Sequence, residues 1–304
     1  MVRRSILSAT LILLVAGTAS AQVRLEHKYL PGTHVAETTS KIDQKLSIAG
    51  MDTDTLAETK VKTTVTVGKR DGAGMVPIQE KIESMQVNTT VMGNQYTFDS
   101  AKPDEKGTSP LEILRDVHKA LARRTTTTLM NKNNRVESIK DDNDVLGSLP
   151  VEVQQLVQSQ FDTENQKKIA NQQLDQFPTQ PISKGESWER TETANFGAGQ
   201  VMTFKTQMKY EGTVEKDGKK LEKITTKVLS ADFALENSPL PFTLKGSSLK
   251  VPESEGVILF DLEAGRAVES SSSLRIVGDI NFAIQTMDLP AKLDLKMSTS
   301  VISK

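Results

Sequence analysis

The chain contains no cysteine, which excludes disulfides, thiolate metal sites and a lipid attached to a processed N-terminal cysteine. Histidine is nearly as scarce. No two of His27, His34 and His118 show the i, i+4 spacing by which a helix offers two imidazoles to a metal. Aromatic residues make up 4% of the chain, too few for the aromatic girdles of an outer-membrane barrel. Neither sign of charge dominates, with 38 basic against 39 acidic residues. Lysines alternate with Glu and Thr and are not gathered with aromatics on one basic face, so nucleic acid is not an expected partner. No Gly-x-Ser-x-Gly elbow is present, and the many carboxylates form no favoured pair.

Two motif-like stretches fail on spacing. Asp142, Asp144 and Gly147 resemble the start of a calcium loop, but Leu146 and Val153 stand where oxygen ligands belong. Gly212 to Lys219 is one residue too long for a phosphate loop, and no Ser or Thr follows the Lys. The first is read as a solvated acidic loop and the second as a hairpin turn. No catalytic residue, cofactor or metal site is therefore expected, and the chain reads as non-enzymatic.

The N-terminus is informative. Arg3 and Arg4 precede an apolar stretch from Ile6 to Ala16, and Ala19-Ser20-Ala21 is a small-residue cleavage site. A secretory signal peptide over 1–21, cut between Ala21 and Gln22, is expected. Removing the two arginines leaves a net charge of −3. Export without cysteine suits a bacterial periplasmic or extracellular address, with no membrane span in the mature chain.

The remaining chain is dominated by period two. Met202, Phe204, Met208 and Tyr210 alternate with Thr203, Lys205, Gln207 and Lys209, the pattern of a strand with one dry and one wet face. Asp217-Gly218 turns this strand back into a hairpin that runs to Leu235. A similar unit lies earlier: Ala57 to Val67, a turn at Asp71-Gly72, and Val76 to Val87. Gly32 with Gly185, and the Val-Glu-Ser triplets at 136 and 268, extend the parallel between the two parts of the chain. The expected fold is mainly β (α+β), with long curved antiparallel sheets from two pseudo-repeated halves arranged as a sandwich or an incomplete barrel. Two to three helices are expected mid-chain. Strands so long must twist or curl, and Gly212 and Gly246 suit the bulges that permit it.

Boundaries follow from changes in pattern. A first β-rich half over 22–147 opens with a short strand from Arg24 to Leu30. It carries a helix at 110–123 announced by Ser109-Pro110-Leu111-Glu112. A helical connector over 148–183 contains a helix capped by Ser148 and a Gln-rich one after Asp162, whose poor apolar face suggests a flexible lid or connector. It ends in an extended segment from Phe177-Pro178 to Pro181-Ile182. A second β-rich half covers 184–304, with Trp188 anchoring its first strand.

Leu174 to Glu189, with Leu-Asp-Gln-Phe-Pro and then Pro-Ile-Ser-Lys-Gly-Glu-Ser-Trp-Glu, resembles the junction of an uncharacterised family of secreted bacterial β-rich proteins. In that family Leu-Pro-x-x-Pro-Val and Gly-Asp-Ser-Trp stand between two β-rich halves. The resemblance implies address and layout and supplies no activity. The functional expectation is a lipid-like, apolar or amphiphilic ligand on a concave β surface. The alternative is an envelope scaffold or protein-interaction module.

Overall fold

The computed structural model describes residues 22–304 apart from 104–106, 152, 155–157, 159–160, 237 and 239. The expected signal peptide through Ala21 and most of the helix expected after Ser148 lie outside the described residues. Twelve strands are present among the described residues: β1 (Gly32–Ile48), β2 (Met51–Val67), β3 (Val76–Val91), β4 (Asn94–Asp99), β5 (Thr125–Met130), β6 (Val136–Asp141), β7 (Ser187–Gly197), β8 (Gln200–Lys216), β9 (Lys219–Leu235), β10 (Thr243–Asp261), β11 (Arg266–Ile284) and β12 (Met287–Ser303). Among the described residues they are accompanied by the helices α1 (Leu114–Ala122), which follows a 3₁₀ turn over Pro110–Ile113, and α2 (Thr163–Leu174).

All twelve strands form one antiparallel sheet in the order β6-β5-β3-β2-β1-β12-β11-β10-β9-β8-β7, with β4 paired to β3. Among the described residues there is no second sheet, so of the two expected arrangements the sandwich gives way to the incomplete barrel, a single open sheet that does not close. The first and last strands meet in the middle, Ala36 opposite Ser303 and Ile48 opposite Ala291. From there β1 to β6 proceed to one edge, and the connector carries the chain to the opposite edge. β7 to β12 then return to the middle, so both parts of the chain cross the sheet in the same sense.

Why the sheet curls follows from its dry face. Met202, Phe204 and Ala231 of β8 and β9 share a core with Ile276, Ile280, Leu293 and Leu295 of β11 and β12. Strands that are not neighbours in a sheet touch only if it bends toward that face. Burying these side chains against one another is the driving term, worth roughly 1.5–3 kcal/mol for each large one. Two of the register slips lie between Tyr210 and Gly212, and between Leu244 and Gly246, at the glycines expected to permit bending. At Gly278, φ is +154° and an added Cβ would sit 2.1 Å from the Ser248 carbonyl oxygen. Only glycine allows that approach of β10 to β11.

α1 and the 3₁₀ turn before it cover the other flank, setting Leu111, Leu114 and Leu121 against Met85, Val87, Tyr96 and Phe98. Ser109 Oγ accepts from the Leu111 amide, and Glu112 binds Arg115. His118 lies at the edge of this core, stacked on Tyr96 and sharing a 3.0 Å hydrogen bond with its hydroxyl.

Candidate functional site

Three segments outside the sheet determine which end of the curl is open. The chain from Gln22 to Pro31 is not the strand expected over Arg24 to Leu30. Its one bridge is Val23 with Ile182, because its alternate side chains are taken up by a plug and not by a neighbouring strand. Leu25, Phe177 and Ile182 are buried against Met208, Tyr210, Ile224 and Phe260 on the inner faces of β8 to β10. His27 stacks on Phe177 at 5.4 Å, and Phe177 meets Phe260 edge-on at 5.1 Å. The stretch expected as an extended linker is therefore core, and it seals the lower end of the curl, where the turns at 217–218 and 262–265 lie.

α2 is likewise docked and not free as a lid. The Asn171 side chain accepts from the Val136 amide at 2.9 Å and donates to the Val136 carbonyl at 3.1 Å, standing in for a neighbouring strand at the β6 edge. Ala170 and Leu174 reach the core around Val76 and Met130. Just past the helix, the Gln176 carbonyl accepts from Trp188 Nε1 on β7. One short segment thus joins the two edges of the open sheet. Its anchoring is mostly polar, which apolar periodicity cannot reveal. Asp141, at the end of β6, holds Arg124 at 2.6 Å, and Arg124 also reaches Gln166 of α2.

At the upper end, where the turns at 49–50, 92–93, 198–199 and 285–286 lie, the curl is not filled. A cavity of about 330 Å³ opens between β1, β11 and β12 on one side and β7 to β9 on the other. Its lining includes Ile42, Leu46, Met202, Phe233, Phe282 and Met297, and its two polar side chains are Gln44 and Gln200. Phe233 and Phe242 both approach Phe282 edge-on, at 6.2 and 5.0 Å. The volume lies at the low end of the roughly 300–1,000 Å³ of small-molecule pockets. With no charged group in its lining, the trough offers dispersion and apolar burial plus two amides for hydrogen bonding. Alternation had identified this dry face; the gap left within it depends on long-range curvature that alternation does not encode.

A second, more polar hollow of about 340 Å³ lies at the lower end, lined by His27, Tyr29, His34, Glu80 and Arg266 among others. Burial, reinforced for His34 by Arg266, holds both imidazoles below their ordinary pKa. Burial pushes the Tyr29 hydroxyl up to about 12, with Arg135 opposing. Glu80 keeps solvent access at the hollow, yet crowding by protein raises its pKa against the pull of Arg124. Between β8 and β9, the buried Glu222 carboxylate accepts from Tyr210 and Thr213. Burial and then Glu222 raise the Tyr210 hydroxyl to about 12, keeping it a donor.

Among the described residues, no group of three or more His, Asp or Glu could hold a metal, and no helix is long and apolar enough to cross a membrane. Gln22, on the mature side of the expected cleavage bond, is exposed.

The profile of a family of unknown function (DUF6263) matches residues 73–248. No curated protein matches the sequence. Among solved structures, one of lipovitellin, described as showing lipid-protein interactions, is similar at 10% identity and a TM-score of 0.44, over 91% of this chain and 25% of the other. DynF from the dynemicin biosynthesis pathway of Micromonospora chersina follows at 8% identity and a TM-score of 0.19, over 92% and 85%. An outer membrane channel from Pseudomonas putida F1 stands at 6% and 0.22, over 92% and 98%. The chain spans about a quarter of the lipovitellin chain it matches. Likeness at these scores carries no argument about function.

Proposed function

The chain belongs to the family of unknown function DUF6263, and on that footing we propose that it is an exported, non-enzymatic protein that holds an apolar or amphiphilic ligand in the upper trough. The observation that carries this reading is the cavity of about 330 Å³ on the inner face of the curl, apolar but for Gln44 and Gln200. A hydrocarbon portion gains by leaving water for such a surface, and the two amides suit an uncharged polar group at its end.

The test is uptake of N-phenyl-1-naphthylamine, a neutral probe that fluoresces in apolar surroundings. Saturable uptake is expected, lost in Met297→Glu, which sets a carboxylate into the lining. Equal uptake by both proteins, with circular dichroism unchanged, overturns the proposal. The export expectation has its own check: protein recovered from a periplasmic fraction should begin at Gln22.

One observation favours a scaffold as a second reading. Among the described residues β7 pairs only with β8, so its other edge can template an added strand. Cross-links from β7 to a stoichiometric partner protein in intact cells would favour that reading over ligand binding.

A further inference from the structure

We propose that the rim of the upper trough docks on the surface of a neutral, zwitterionic lipid bilayer. Met51, Met92, Met287 and Phe196 are 72%, 65%, 64% and 40% exposed. They come from regions remote in sequence, yet strand register brings all four to the same end of the sheet. Met51 follows the β1–β2 turn opposite Ile48, and Met287 follows the β11–β12 turn opposite Ile284. Met92 lies in the β3–β4 turn, its amide donating to the Asp54 carbonyl. Phe196 closes β7 and also lines the trough. Because residues directly opposite on paired strands share a face, Met51 and Met287 have the same inward parity as the trough lining. The apolar interior therefore continues outward into an apolar rim.

The spacing and type of these residues point to the partner. They are separate points on separate turns, whereas a protein interface wants a continuous complementary patch of about 800 Å² on each side. Bilayer interfaces accept such points without shape matching, and unbranched methionine adapts readily to fluid surroundings. Charges near the rim are of both signs. Asp52, Asp54 and Asp288 accompany Lys45, Lys245 and Lys292, and Lys245 pairs with Asp288. Without a basic excess there is no footing for selective attraction to anionic lipid. Contact through apolar side chains should thus be indifferent to salt. The role of this contact, passing a ligand between bilayer and trough, rests on the ligand-binding reading above.

The experiment is flotation with phosphatidylcholine vesicles at low and high salt, comparing the wild-type chain with the triple variant Met51→Gln, Met92→Gln, Met287→Gln. Naphthylamine uptake is measured on both without vesicles. Wild type should float at both salt levels, and the variant should partition about tenfold less while keeping its uptake. Wild type remaining unbound, equal flotation of the variant, or, in a parallel run with phosphatidylglycerol vesicles, flotation only on that anionic lipid at low salt overturns the proposal. Wild type that floats but takes up no probe upholds the docking and sinks the ligand-binding reading alone.

Discussion

The two flanks of the sheet carry the same period-two pattern to different ends. On the β7–β12 flank the inner positions hold large side chains, Met202, Phe204, Met208 and Tyr210 on β8 and Ile224 and Phe233 on β9. They bury themselves by curling the sheet onto its own face and the plug. On the other flank the inner face of β2 reads Thr53, Thr55, Ala57, Thr59, too small and too polar to close over itself. That flank is covered on the same inner face by separate elements, by α1 on Met85 and Phe98 and by α2 on Val76 and Met130. Alternation makes a strand two-faced; the bulk of the dry side chains decides whether the sheet closes on itself or needs a lid.

This contrast can be broken most sharply at Phe260, which is fully buried. Phe260→Ala should cost about 3–5 kcal/mol in denaturant melts, because no helix on that side can settle into the space. Asp141→Ala should cost about 2–3 kcal/mol by stripping Arg124 of its charged hydrogen bonds. Hydrogen exchange should then quicken in α2, β5 and β6 while the amides of β8 to β11 stay protected; uniform loss would mean the flanks are not separable. Asn171→Ala, which removes two hydrogen bonds to Val136, should cost about 1–2 kcal/mol, with exchange rising at the β6 edge.

The smallest effect is one of pH. Burial, aided by Arg115, lowers the His118 pKa from 6.5 to about 4. The unfolded chain therefore binds a proton that the folded chain refuses between those values. This contribution to stability is complete above pH 6.5 and declines as pH falls toward about 4. Thermal melts of His118→Gln should show a shallower decline across that window, and in the wild-type protein α1 should loosen before the β8–β11 core.

Strand existence and the bend sites were readable because each is local: the alternate Met and Phe of β8, and Gly212 and Gly246 at register slips. The helix at Leu114–Ala122 was announced by Ser109 and Pro110. What escaped reading depends on partners remote in sequence. Leu25 and Tyr29 alternate like strand residues, yet Val23 pairs with Ile182 and the rest fill a plug. α2 looked unanchored because its attachment is mostly polar, through Asn171 and Gln166, and Phe177 looked like linker because Pro178 follows it. The trough went unseen for a different reason, since a cavity is what packing leaves over and no residue pattern marks it.

The meeting of β1 with β12 at the centre of the sheet has a consequence for how the protein is made. As the chain emerges during synthesis, β1 can zip to β2 at once, but its other side must wait for a neighbour more than two hundred residues away. Until then two partial sheets each expose a raw backbone border in the middle of what will become the molecule. A chain shortened by the length of β12 would keep both borders open, so loss of its last strand should yield sticky, self-associating halves and not a slightly smaller fold.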